Sequence, residues 1–306
     1  MSAAAARRGA LLVVALALAV TLPVWVGNTY YINIASQILL FAVFALALNV
    51  LVGYGGLVSL GHAGLFAVAG YTAALMLQAG QGHLAADLAA VAVTLVMSAV
   101  FAVLALRATG IGFLMITLAL GQILWGIAYR WANLTNGDNG VNVTTRPAPF
   151  GISLAGAAPF YYATLVVFLI ALATMALLVR SPFGASHCGT RDQPRRMTAL
   201  GYNVWLTRFL AFLFSGFWSA IAGILFVYYN QFISPQIAAL QTSAEVLLMV
   251  ISGGTATLAG PVVGAAIVVI ITFMPEGLVP GSARLWRWAW RRRASPGKAV
   301  AAGERP

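Results

Sequence analysis

The chain has 306 residues, of which 61% are hydrophobic and only 8% are charged. Soluble domains carry about 25% charged residues, and a water-soluble fold of this size could not cover its surface with so few. The formal net charge of +11 comes from basic residues that fall mostly into three clusters, Arg7–Arg8, Arg180–Arg208 and Arg284–Arg305. Because each cluster flanks an apolar run, as cytoplasmic loops do, the expected partner is the lipid bilayer and not nucleic acid.

Apolar segments of spanning length follow one another along most of the chain. A spanning helix needs about 20 mostly apolar residues. The candidates are 10–27, 33–52, 64–79, 88–106, 110–129, 160–179 and 209–230, with two shorter, glycine-interrupted segments at 243–253 and 258–274. The first segment lacks a clear cleavage site, which favours an uncleaved helix over a signal peptide. The pattern predicts an all-α fold, a polytopic transmembrane helical bundle with glycine-interrupted or broken helices.

The basic residues predict the orientation of this bundle. With the N-terminus in the cytoplasm, alternate crossings bring Arg107 and the loop 180–208 to the cytoplasmic side and leave 131–159 outside. We therefore expect a multi-pass protein of a bacterial inner membrane, with a transmembrane permease domain at 1–283 and a basic cytoplasmic tail at 284–306. The last two apolar segments conflict with this orientation, because the tail ends outside if both cross. Either they form one broken passage or a crossing is absent.

Two glycine-rich stretches interrupt the apolar segments. Small residues let transmembrane helices pack closely, and they also permit broken backbone at membrane depth where protein or a water-filled cavity surrounds it. Two such breaks are typical of a transport pathway, although close packing alone explains any single glycine. The expected break residues are Gly53, Gly56, Gly61, Gly253, Gly254, Gly260 and Pro261.

Side chains that could carry chemistry are scarce. None of the six acidic residues falls at the centre of an expected span, which argues against ion-coupled transport. Ser59 and His62 could form a nucleophile and base in the first break, but a structural hydrogen bond across helices is the favoured interpretation. The single cysteine, Cys188, supplies neither a disulfide nor a metal cluster. We expect no enzymatic activity, no metal and no cofactor.

The most informative loop is 180–208. Pro182 and Gly184 are expected to end the preceding helix, and one or two helical turns are expected from Pro194 to Gly201. A short helix between two spans could dock into a groove on a soluble partner. An ordinary basic loop that only fixes the topology is an equal alternative.

Four stretches of the chain carry a family resemblance. They are Asn49-Val-Leu-Val-Gly-Tyr-Gly-Gly-Leu-Val-Ser-Leu-Gly-His-Ala, Thr117-Leu-Ala-Leu-Gly-Gln-Ile, Arg180-Ser-Pro-Phe-Gly through Ala199-Leu-Gly-Tyr-Asn, and Ser252-Gly-Gly-Thr-Ala-Thr-Leu-Ala-Gly-Pro-Val-Val-Gly-Ala. The outer segment Leu134-Thr-Asn-Gly-Asp-Asn-Gly-Val is similar too. Together they resemble the permeases of branched-chain amino acid ABC transporters, of the LivM type.

The resemblance implies the permease subunit of an ATP-driven importer, which forms half of a pathway for branched-chain or other amino acids. It implies as partners a homologous second permease, two cytoplasmic ATPase subunits and a periplasmic solute-binding protein. The residues that match the family's ATPase-coupling segment are Arg191, Asp192, Arg195, Ala199, Leu200 and Gly201. The residues expected along the pathway are Ser59, His62, Thr117 and Gln122. The alternative is a self-sufficient channel or an ion-coupled carrier for small polar solutes.

The chain departs from the family in two places. Ala185-Ser-His-Cys-Gly-Thr replaces a stretch that is more basic and aliphatic in many relatives. Relatives also continue from the Gly260-Pro-Val-Val-Gly helix through an outer loop into a further span, whereas here the helix runs straight into Phe273-Met-Pro-Glu-Gly-Leu. A crossing of about 20 residues is therefore expected to be missing, in line with the conflict in the charge pattern.

Overall fold

Apolar helices make up most of the chain in the computed structural model, which describes residues 19–23, 28–143, 146–147, 154 and 156–273. Of the expected first span, only 19–23 is described, and it is helical. The expected tail at 284–306 lies outside the described residues.

Helices follow one another with short connections. They are α1 (Thr29–Asn49, prolonged by a π-helical turn at Val50–Tyr54), α2 (His62–Gln78), α3 (His83–Ala105), α4 (Ile111–Arg130), α5 (Ala132–Thr135), α6 (Ala157–Arg180), α7 (Pro182–Asp192), α8 (Pro194–Ala199), α9 (Val204–Asn230), α10 (Leu240–Gly253) and α11 (Gly260–Phe273). Short 3-10 turns lie at Gly137–Asn139 and Pro235–Ala238. Within the described ranges, α1 with its π turn, α3, α4, α6 and α9 are long and apolar enough to cross a membrane. The predicted polytopic helical bundle is confirmed.

One small sheet was not predicted from the sequence. Strand β1 (Val141–Asn142) pairs antiparallel with β2 (Phe232–Ile233), with Val141 opposite Ile233. Each strand has only two residues, too short for the alternating pattern by which a strand is recognised in a sequence.

Helix α1 lies at the centre of the bundle. In its most apolar stretch 78% of the residues are buried, against 22% for α4. A helix that is apolar all round is stable only when other helices or lipid surround it, and α1 is surrounded by helices. Helix α9 runs antiparallel to α1, since Tyr229 near its end donates to the carbonyl of Asn33 at 3.2 Å. We call the end of the bundle with α7 and α8 the basic end, and the end with β1 and β2 the sheet end.

Helices α2 and α10 begin inside the bundle and not at one of its ends. His62, the first residue of α2, lies 3.0 Å from the hydroxyl of Ser215, which is about 16 Å along α9 from its start. The amide of Ala63 donates to Ser243 of α10 at 3.2 Å, so α10 starts at a similar depth. With 17 and 14 residues, the two helices are about 26 and 21 Å long. Both are shorter than a hydrocarbon core of about 30 Å.

Helices α10 and α11 form a hairpin. A Cβ atom at Gly264 would collide with the carbonyl of Met249, and one at Gly253 would collide with the carbonyl of Gly260. Contacts between these pairs require the helices to lie side by side, and Gly254, with φ of 101°, turns the chain between them. The alternative that 243–274 forms one broken passage in a single direction is therefore wrong. The missing crossing stays a prediction.

The loop 180–208 is more helical than expected. Helix α6 ends at Arg180, but Pro182 starts α7 at once. The Ser181 hydroxyl caps α7 by accepting from the amide of Gly184 at 3.2 Å, and proline is well suited to a first helical position. The expected end of the preceding helix is confirmed, whereas helix α7 was not predicted. The short helix expected from Pro194 is present as α8.

Candidate functional site

The first break is the non-helical segment 56–61, which connects the π turn of α1 to α2. The π turn ends with two bonds to earlier carbonyls, from Gly55 to Val50 at 3.1 Å and from Leu57 to Leu51 at 2.9 Å. Gly56 follows with φ of 65°, which favours glycine. The segment then runs through the bundle, with Ser59 fully buried. Non-helical backbone at this depth is tolerated because protein surrounds it.

A chain of hydrogen bonds crosses three helices at this break. The Ser215 hydroxyl donates to the carbonyl of Ala47 in α1 at 2.6 Å, so its oxygen is free to accept from Nε2 of His62 at 3.0 Å. Nδ1 of His62 then accepts from the Ser59 hydroxyl at 2.7 Å, and Ser59 accepts from the amide of Gly61 at 3.4 Å. Every member is satisfied when the imidazole is neutral and carries its proton on Nε2. The predicted hydrogen bond of His62 across helices is confirmed.

Three of the four expected pathway residues come together at the break. The Thr117 hydroxyl of α4 accepts from the amide of Leu60 at 3.2 Å, and the glycine at 61 lies against the Thr117 carbonyl. Gln122 lies apart from them. Its side chain faces a shallow groove on the outward side of α4, which is also lined by Trp125, Gly126, Arg130 and Trp131.

The second break is the turn 254–259 between α10 and α11. Asn49, the last residue of α1, donates to the carbonyl of Thr257 at 2.9 Å and accepts from the amide of Ala256 at 3.3 Å. The seven expected break residues lie as follows: Gly53 in the π turn, Gly56 in the first break, Gly61 before α2, Gly253 at the end of α10, Gly254 in the second break, and Gly260 and Pro261 at the start of α11. Asn49 therefore joins the second break to the helix that leads into the first.

Sequence reasoning missed Asn49, Ser215 and Ser243. Asn49 opens one of the stretches that carry the family resemblance, and a buried amide in an apolar helix is a signal that could have been used. The two serines gave no such signal, because single serines are common where transmembrane helices pack closely.

All six expected coupling residues are exposed at the basic end. Asp192, Arg195, Ala199, Leu200 and Gly201 face outward, and the Leu200 side chain has a relative exposure of 66%. The Arg191 side chain is also 46% exposed, but its Nη1 turns back and donates to the carbonyl of Gly53 at 2.6 Å. Its Nε also lies 3.7 Å from the carboxylate of Asp192.

His187 is a second side chain of α7 that turns toward α1. Its Nε2 donates to the carbonyl of Val50 at 3.1 Å, and its ring stacks on that of Phe183. Burial lowers the pKa of His187, the nearby charge of Arg208 lowers it further, and the bond to Val50 opposes the shift. A neutral ring with its proton on Nε2 fits this position.

Comparison with known proteins identifies the family. Residues 30–279 match the family described as the permease component of branched-chain amino acid transport systems. The chain belongs to this family. The high-affinity branched-chain amino acid transport system permease protein LivM of Escherichia coli strain K12 is 28% identical, over 85% of this chain and 66% of LivM. LivM of Salmonella typhimurium is 25% identical, over 78% of this chain and 62% of that protein.

The chain thus spans about two thirds or less of the length of these two relatives. No solved structure matches it. The predicted resemblance to branched-chain amino acid permeases is confirmed by the family match. Membership in this family, together with the apolar helices of spanning length, makes the chain a multi-pass membrane protein of the permease type.

Proposed function

We propose that this chain is a permease subunit of an ATP-driven importer for branched-chain or other amino acids, in a bacterial inner membrane. The observation that carries the proposal is the first break, a partly buried non-helical segment that directly follows the π turn on which α7 packs. Broken helices at membrane depth are typical of transport pathways. Because the first break is connected through the π turn to the exposed helices α7 and α8, it can respond to a soluble partner that binds them.

The pathway in this proposal passes the start of α2 and α10. Their N-termini meet at the bond between Ala63 and Ser243, halfway through the bundle. Ser59, His62 and Thr117 surround the break at that depth, and all three are buried. The chain supplies one half of the pathway, and a homologous second permease supplies the other. Gln122 faces outward and stays a pathway candidate only if that second permease covers α4.

The partner on the basic end is a pair of ATPase subunits, and this end faces the cytoplasm. Helix α8 and the residues after it present apolar and basic side chains side by side: Arg195, Arg196, Leu200 and Tyr202 are all exposed. An exposed short helix of this composition suits a groove on a soluble protein. The sheet end faces the periplasm and receives the solute-binding protein. The transmembrane domain covers 1–283, and the basic tail 284–306 follows it.

ATP hydrolysis by the assembled complex tests the proposal. The chain is reconstituted with its second permease and ATPase subunits, and phosphate release is measured with and without leucine-loaded binding protein. We expect loaded binding protein to raise the rate, and Leu200→Asp to abolish both assembly and stimulation because a carboxylate enters the ATPase contact. A chain that never binds an ATPase, but conducts solute alone, would instead be a channel or a carrier.

A further inference from the structure

Helix α7 is fastened to the end of α1 by two side chains one helical turn apart. His187 donates to the carbonyl of Val50 and Arg191 donates to the carbonyl of Gly53. Both acceptors belong to the π turn. The last carbonyls of a helix lack partners within the helix, and a cation at this end also complements the helix dipole. Arg191 therefore supplies a partner for the Gly53 carbonyl, and His187 adds a second donor to the Val50 carbonyl, which also accepts from the amide of Gly55.

The backbone of the π turn and the first break lies directly against α7. A Cβ atom at Gly55 would lie 2.6 Å from Nε2 of His187, and one at Gly56 would lie 2.8 Å from Cγ of Arg191. No side chain separates the two segments. Packed contacts of this kind transmit displacement, because close-packed protein has low compressibility.

We call the contact of His187 and Arg191 with the π turn the joint. From the joint, the connection continues into the bundle. Five residues separate Gly53 from the start of the Ser59–His62 hydrogen-bond chain, and Asn49 holds the second break one turn before Gly53. The exposed segment α8 follows α7 after one residue, Gln193. A displacement of α8 thus has a short, contiguous route to both breaks.

We propose that Arg191 and His187 are positioning residues of the transport cycle, which fasten α7 to the π turn so that the first break moves together with α7 and α8. This inference rests on the proposed function, and it changes the role of Arg191. The resemblance places Arg191 at the ATPase, whereas its guanidinium is engaged by the permease's own backbone. Loss of the bond would leave ATPase binding intact and would uncouple hydrolysis from transport.

A substitution series measures the coupling directly. In the reconstituted complex, leucine uptake and phosphate release are measured for Arg191→Ala, Arg191→Lys and the control Arg107→Ala, an exposed arginine between α3 and α4. We expect Arg191→Ala to retain assembly and ATP hydrolysis and to lower uptake per ATP by about tenfold, the scale of one lost charge-assisted bond. Arg191→Lys, which can still donate, should recover part of the ratio. An unchanged ratio in Arg191→Ala, or loss of ATPase binding, overturns the proposal.

A reversible cross-link tests whether coupling requires α7 to stay in contact with the first break. A Cβ atom at Gly56 would lie 3.7 Å from Cβ of Arg191, within the range of about 3.5–4.5 Å found in disulfides. In a Cys188→Ser background, Gly56→Cys with Arg191→Cys should form a disulfide on oxidation with diamide. The reduced pair lacks the guanidinium and should be uncoupled, whereas the oxidised pair should regain coupling. An active reduced pair that loses uptake on oxidation would show that the joint must open, and would overturn the proposal.

Amide hydrogen exchange separates this inference from the proposed function. If the wild-type complex shows no uptake, the proposed function fails, yet exchange in residues 50–61 still reports on the joint. We expect Arg191→Ala to raise exchange there by about tenfold relative to Arg107→Ala. Equal exchange in the two variants would show that Arg191 does not hold the π turn. This measurement also replaces the cross-link if cysteine at Gly56, with its φ of 65°, prevents folding.

Discussion

The hydroxyl of Ser215 is expected to stabilise the fold, whereas the hydroxyl of Ser219, one turn later on α9, is not. Both serines are fully buried. Ser215 donates to the Ala47 carbonyl and accepts from His62, but the hydroxyl of Ser219 has no hydrogen-bond partner among the described residues. Ser215→Ala and Ser219→Ala remove the same atom from the same helix and differ only in the bonds lost.

The magnitude follows from the bonds. Hydrogen bonds between helices of a membrane protein contribute about 0.6 kcal/mol on average and up to about 1.7 kcal/mol. Ser215→Ala breaks two and leaves a buried imidazole N–H without an acceptor, so we expect a loss of about 1–3 kcal/mol. At about 2–4 °C per kcal/mol, the thermal midpoint should fall by several degrees. Ser219→Ala should be neutral or slightly stabilising, because it removes a buried polar group that lacks a partner.

Thermal unfolding of the purified variants in detergent, followed by intrinsic tryptophan fluorescence, measures the difference. A midpoint for Ser215→Ala equal to that of Ser219→Ala would refute the hydrogen-bond chain through His62. A larger fall in the thermal midpoint for Ser219→Ala would show that Ser219, and not Ser215, makes the stabilising hydrogen bonds at the break.

Three further predictions concern packing, the second break and pH. A Cβ at Gly223 would collide with the carbonyl of Phe66, so Gly223→Ala should lower the thermal midpoint, while Gly126→Ala, with nothing near its Cβ, should be tolerated. Asn49→Ala removes both bonds to the second break and should increase amide exchange there; unchanged exchange would refute the link between α1 and that turn. Because the pKa of His187 is lowered from 6.5, the unfolded state binds its proton first, and the free energy of unfolding should fall as pH drops below about 6.5. In thermal melts at a series of pH values, His187→Gln should lessen that fall, and an identical pH dependence would contradict the assignment.

The spans could be predicted from the sequence because lipid imposes a simple requirement. About 20 apolar residues are needed to cross the hydrocarbon core, and few charges are tolerated within them. For this reason the expected segments 88–106, 110–129 and 160–179 end within one residue of helices α3, α4 and α6 and begin within five residues of them. Helices α2 and α10 start inside the bundle, but their segments are apolar, as those of the full spans are. Their starts could therefore be inferred only from the glycines.

Helix α7 was missed because its residues are poor helix formers. It contains Gly184, Ser186 and Gly189, and its start at Pro182 resembles a stop signal. Its stability comes from the cap by Ser181 and from packing on the π turn, which are tertiary effects that local propensity does not contain.

The grouping of Thr117 with Gln122 shows a different limit. The two residues lie five positions apart on α4, and at about 100° per residue they point about 140° apart. The two side chains therefore cannot both face the first break. In the structure, Thr117 faces the break and Gln122 does not. A resemblance carries residues over one by one, but only helical geometry tells which of them share a face.

ATP-dependent uptake of labelled leucine into proteoliposomes tests the central claim most directly. The vesicles contain this chain, the second permease and the two ATPase subunits, with binding protein supplied on the side of the sheet end. We expect uptake that requires ATP and disappears when the ATPase subunits are catalytically inactive. Uptake that persists with inactive ATPases would contradict an ATP-driven importer and favour a channel or carrier. No uptake of any amino acid by a fully assembled, ATP-hydrolysing complex would contradict the transport function itself.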